Sequence, residues 1–214
     1  MTGGSRGGRL MFAGMLAASL GAAGCGSGSS STHSSAATTA PAGAVAPLIR
    51  TASLLAPAGA LAGFSPSGAP QTATSAQLWA QTSSESDEVA HEAARLRLEG
   101  FREGVGQHYT GASGAAALSL ALVFNSSEGA KKEVTHYLQV DPHYGLHLEG
   151  AKVAAIPGSM IIGEGPAGNV IFTTGRCFML VGDELGSGSA KTQVNAVPIA
   201  AATTLYQQVK RLCA

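Results

Sequence analysis

The sequence predicts an α+β fold: an antiparallel four-stranded sheet with helices packed mainly on one face, in the order ααβαβββα. Three observations carry this. Short apolar runs at Met160–Gly163, Asn169–Thr174 and Cys177–Gly182 are separated by GEGPAG and Thr174-Gly175-Arg176, the turn chemistry of consecutive hairpins. AALSLALVF at 116–124 alternates so that Leu118, Leu120, Leu122 and Phe124 share one face of a strand. Segments of helical period flank these runs on both sides, and hairpin strands beside such helices make a layered α+β arrangement.

The elements follow in chain order. Residues 48–73 begin with LIRTASLLAPAGALAGF, where Arg50 and Pro57 argue against a membrane span, so this stretch reads as an irregular N-terminal arm. The α+β domain then occupies 74–214. Thr74-Ser75 caps a helix containing AQLWAQ and the single tryptophan, Trp79. Ser84-Glu85-Ser86-Asp87-Glu88 places acids at the start of a longer helix, where the helix dipole favours them. That helix is expected to run to about Gly104. Val89, Ala93, Leu96 and Gly100 mark its inner face, and Ala94, Leu98, Phe101 and Val105 widen it. Ser126–Leu138 is a helix with Ala130, Val134 and Leu138 inward, capped from Asn125-Ser126. The last helix holds Ile199, Ala202, Leu205, Tyr206, Val209 and Leu212, with Pro198 in its first turn and Lys210 and Arg211 at its C-terminal end.

The N-terminus carries the strongest functional signal. Arg6 and Arg9 form a basic start without an acid, LMFAGMLAASL at 10–20 is apolar, and Gly21-Ala22-Ala23-Gly24 precedes Cys25. A basic region, a short apolar run and small residues at a cleavage point make a secretory signal peptide. The apolar run is too short to span a bilayer of about 30 Å as a permanent helix. Residues 1–24 are therefore the signal, and 25–47, rich in Ser, Thr, Ala and Gly, form a tether that cannot bury enough apolar surface to offset its ordering entropy. Removing the signal takes two arginines and leaves a net charge of −2, with no basic stripe to suit nucleic acid. Two cysteines then remain besides Cys25, namely Cys177 and Cys213. In an oxidising compartment this even pair is expected to bridge a strand to the C-terminus.

Several patterns invite a site assignment. Gly163-x-Gly165-x-x-Gly168 has dinucleotide-loop spacing, but a strand-like NVIFTT follows where that fingerprint needs a helix, so a hairpin turn is expected. Gly186–Thr192 ends in Ala-Lys-Thr where a phosphate loop has Gly-Lys-Thr, which excludes it. His136, His143 and His147 are the densest candidate metal ligands, near Asp141 and Glu149. Trp79, Tyr109 and Tyr137 are candidate ligand contacts. No G-x-S-x-G elbow or comparable constellation marks a catalytic residue, and no cofactor is implied.

The residues before Cys25 resemble the lipobox of bacterial lipoproteins, with Ala22 at the position where that family usually carries Leu. The resemblance implies cleavage before Cys25, acylation of that cysteine and anchoring in the bilayer. From Ala58 onward, AGF at 62–64, TSAQLWA at 74–80, EAARLRLEGFREGV at 92–105, LSLALVF at 118–124, IPGSMI at 156–161 and VIFTTGRCFMLVG at 170–182 are similar to a set of extracytoplasmic actinobacterial lipoproteins without assigned activity. The expectation is an envelope lipoprotein on the outer face of the cell membrane. Its domain is a non-enzymatic binding or accessory module for an envelope protein, a cell-wall component or an apolar small molecule. The alternatives are a metal-binding lipoprotein using the three histidines, and a cell-wall enzyme.

Overall fold

The computed structural model describes residues 51–84, 86–140, 147–148, 152–164, 167–184 and 196–214. The signal and tether segments, Cys25, His143 and the 186–192 stretch lie outside the described residues. Among the described residues no helix is long and apolar enough to cross a membrane.

The chain is α+β, and among the described residues all strand pairs are antiparallel, but the sheet is larger than expected. A turn of 3-10 helix at Thr51–Leu54 is followed by β1 (Phe64–Pro66), β2 (Gln71–Ala73), α1 (Ala76–Ser83), α2 (Val89–Glu99), β3 (Phe101–Gly111), β4 (Ala116–Phe124), α3 (Ser127–Val140), β5 (His147–Leu148), β6 (Met160–Glu164), β7 (Ala167–Thr174), β8 (Cys177–Glu184) and α4 (Ala196–Val209). Seven strands run in the order β1-β3-β4-β8-β7-β6-β5, and β2 pairs with β3 beside β1. The Gly163–Gly168 motif is a strand pair, with Gly163 opposite Gly168 across β6 and β7.

Four strands were not expected, β1, β2, β3 and β5, and β3 is the longest of them. The second helix stops at Glu99, because Gly100 takes a left-handed φ of 83° and its N–H caps Leu96 and Arg97. Phe101 and Val105 therefore lie in the strand, and Leu98 is 86% exposed instead of widening an inner helix face. The glycines of EGVGQ disguise a long strand whose small residues have a packing purpose. A Cβ at Gly104 would stand 2.4 Å from Trp79 Cε3, so the indole packs directly on this backbone.

Helices cover both faces, not mainly one. Alternate residues of the central strands divide between two cores. The first core gathers Val105, Ala121, Phe172, Met179 and Val181 against Leu205 and Val209 of α4 and against Leu54, Leu55 and Leu61 of the arm. The second gathers Leu122, Phe124, Ile171, Phe178 and Leu180 against Trp79 of α1, Leu96 of α2 and Ala130 of α3. Leu118 and Leu120 pack on this second core, so the expected leucine face of β4 stands. The reason for two layers is visible in β7 and β8. Val170-Ile171-Phe172 and Phe178–Val181 are buried without a break, and a strand buried on both sides needs a cover on each.

The caps behave as expected. Ser75 accepts from the Leu78 N–H, and Ser126 Oγ accepts from the Gly129 N–H. Cys177 and Cys213 are both fully buried and lie at bonding distance, with sulfurs 2.14 Å and Cα atoms 5.7 Å apart. The pair ties the start of β8 to the residues after α4, and closing that loop stabilises by roughly 4 kcal/mol on a chain-entropy account.

Gly104→Ala tests the indole seat. Its methyl must displace a packed ring, so the substitution is expected to lower unfolding stability by about 1–3 kcal/mol in denaturant titration.

Candidate functional site

The arm builds the concave surface of the first face. Ala56 is pinned by its backbone: its N–H donates to the buried Ser119 Oγ on β4 at 2.9 Å, and its carbonyl accepts from the Tyr109 hydroxyl at 3.5 Å. The Gln208 side-chain amide on α4 donates to the Ser53 carbonyl. These contacts hold the arm against β3, β4 and α4 while Leu54, Leu55 and Leu61 enter the core.

Between the arm, β1 and β3 lies an open groove of about 320 Å³. Its walls are mainly apolar, with Leu55, Pro57, Leu61, Phe64 and Pro70. The polar groups are two amides and a phenol, from Gln107, Gln208 and Tyr109. Gln107 Nε2 is engaged with the His108 carbonyl at 2.7 Å. Burial pushes the Tyr109 hydroxyl above its ordinary pKa, so it stays a neutral donor. Each of the three donates to a backbone carbonyl, Gln107 to His108, Gln208 to Ser53 and Tyr109 to Ala56, and none is a ready nucleophile or a strong base.

The three aromatic candidates separate. Tyr109 lines the groove. Trp79 sits on the opposite face, buried over Gly104 and tilted against Phe101 with ring centroids 6.3 Å apart. Tyr137 lies on that same face, its ring 6.1 Å from Phe178. Neither touches the groove.

The histidine candidates are not drawn into one described cluster. His136 lies on α3 with its Nε2 3.9 Å from Glu92 Oε2, and the backbone of His147 runs in β5 opposite Gly163. Burial and the nearby Arg95 hold the His136 pKa down. Among the described residues, no group of three or more His, Cys, Asp or Glu is placed to hold a metal ion.

Two buried features escaped the sequence reading. Ser119 and Gln107 interrupt apolar strands at the positions that receive the arm, and a polar residue at an inward strand position was the available signal. Asp183 is the second. It lies across from Ala117 and Gly168 and is 1% exposed, and among the described residues neither carboxylate oxygen has a hydrogen-bond partner. Desolvation pushes its pKa up to about 7.

Compared with known proteins, the chain matches no family model, no curated protein and no solved structure.

The raised Asp183 pKa has a definite pH consequence. Folding favours the protonated carboxyl, so its contribution is fully present below the ordinary aspartate range and is lost as pH rises through about 7. Thermal melts of the native chain should therefore fall between about pH 5 and pH 8. Asp183→Asn, which keeps the shape without the charge, should remove much of that slope; an unchanged slope would assign it to other groups.

Proposed function

We propose that the protein is an exported, lipid-anchored envelope protein whose domain is a non-enzymatic binding module for an apolar small molecule. The observation that carries the reading is the coincidence of arm and groove. The chain that continues the Ser-rich tether is the same chain whose Leu55, Pro57 and Leu61 wall the groove. The groove wall therefore begins at Ala52, at the start of the described chain that follows the tether. The signal-like N-terminus, the Cys25 context and a cysteine pair at bonding distance support an oxidising destination outside the membrane. A groove of this size, walled by apolar side chains with a few fixed polar groups, suits small-ligand capture.

The two halves of the proposal have separate tests. Intact-mass measurement of protein extracted from membranes should show a chain beginning at an acylated Cys25, and Cys25→Ser should release the protein from the membrane fraction. Retention of Cys25→Ser in that fraction contradicts the anchor. For the groove, a fluorescent fatty-acid analogue should bind the purified domain. Ala58→Trp, which places an indole in the groove from an exposed position, should weaken binding by at least about tenfold, a loss of about 1.4 kcal/mol. Equal binding by native protein and variant, or none by either, contradicts the apolar site.

A further inference from the structure

The second face carries a feature independent of the groove. Helices α2 and α3 lie antiparallel and meet through three successive contacts. Gly129 of α3 sits against the backbone of Glu99, where a Cβ would stand 2.2 Å from the Glu99 carbonyl oxygen. One turn on, Glu133 meets Arg95 at 2.6 Å, and a further turn on, His136 faces Glu92 at 3.9 Å.

Arg95 is over-subscribed. Its Nε and Nη2 donate to the two oxygens of Glu92 at 2.9 and 2.6 Å, while Nη1 donates to both Glu99 at 2.7 Å and Glu133 at 2.6 Å. Three carboxylates thus share one guanidinium, two of them on a single nitrogen. Every side chain in the group is at most 19% exposed, so water screens their repulsion poorly. One cation balances one carboxylate. The arrangement is relieved if a carboxyl carries a proton, and Glu133 is the most enclosed of the three, at 8% exposure.

We propose that this cluster is a proton-dependent clasp. With Glu133 protonated, α3 is locked onto α2; release of that proton to solvent leaves an excess of buried negative charge and loosens α3 from the sheet. Burial raises the Glu133 pKa, and repulsion from Glu99 and Glu92 works against the stabilising pull of Arg95 on its charged form. The folded state therefore favours the protonated carboxyl. The clasp is fully closed below the ordinary glutamate range and opens as pH rises through the raised value. His136 acts in the opposite sense. Burial and Arg95 depress its pKa, Glu92 and Glu99 raise it and His91 lowers it further, so its protonation would disturb the contact only on the acid side. When α3 lifts, the apolar strip of Phe124, Phe178 and Leu180 becomes reachable from outside.

Hydrogen–deuterium exchange on the full chain tests this. After correction for intrinsic rates, amides of 127–140 should lose at least about tenfold protection between about pH 5.5 and pH 7.5, while β4 and β8 hold theirs in the Asp183→Asn chain, which lacks the global response of that carboxyl. Glu133→Gln should be equally protected at both values, and Asp183→Asn should keep the native response of α3. Should Glu133→Gln not fold, Glu99→Gln removes the second carboxylate from the same nitrogen and should shrink the response. Equal protection of native α3 at both pH values overturns the clasp. So does a native-like response in the folded Glu133→Gln or Glu99→Gln chain, or loss of protection throughout the domain together in the Asp183→Asn chain.

Discussion

The two-sided burial of β4, β8 and β7 is the constraint from which the rest of the molecule follows. Val170-Ile171-Phe172 and Phe178–Val181 present apolar side chains alternately to both sides, and each side must be closed against water. Fully burying side chains of this size stabilises by about 1.5–3 kcal/mol each, so leaving one face open would forfeit much of the folding free energy. One face is closed by α1, α2 and α3, the other by α4 and the arm. The cysteine pair adds to the second closure by joining the start of β8 to the segment after α4.

Each cover introduces polar chemistry where it meets the sheet. An extended arm brings unpaired backbone groups into a buried setting, and these need partners. Ser119, Tyr109 and Gln208 supply them at Ala56 and Ser53, and the groove is the space left beside an arm held at those points. On the other face the close approach at Gly129 brings α2 and α3 near enough for a crowded charge cluster to form between them. The groove and the clasp are thus separate consequences of covering one sheet twice.

Most elements were legible in the sequence because their local signals agree. The capping serine Ser75, the alternation of Leu118–Phe124, the turns around Gly175 and the period of the last helix all point the same way. β3 was hidden because Gly104 and Gly106 read as breakers. Their role depends on Trp79, more than twenty residues upstream, which local patterns do not reveal. The second helical layer was foretold by the unbroken apolar runs of β7 and β8, a signal of double burial that alternation-based reading discounts. Of the aromatic candidates, only Tyr109 reaches the groove, because the facing of a residue follows from strand parity and parity in β3 cannot be assigned until the strand itself is recognised.

Residues 51–73 are an integral part of the fold. Truncation measures what they contribute. A chain beginning at Thr51 should unfold in one cooperative step, whereas one beginning at Thr74 should lose β1, β2 and the first-face contributions of Leu54, Leu55 and Leu61, and with them cooperative unfolding in urea. A Thr74 chain that unfolds as sharply, and at the same urea midpoint, as the Thr51 chain would show that residues 51–73 add nothing to the fold.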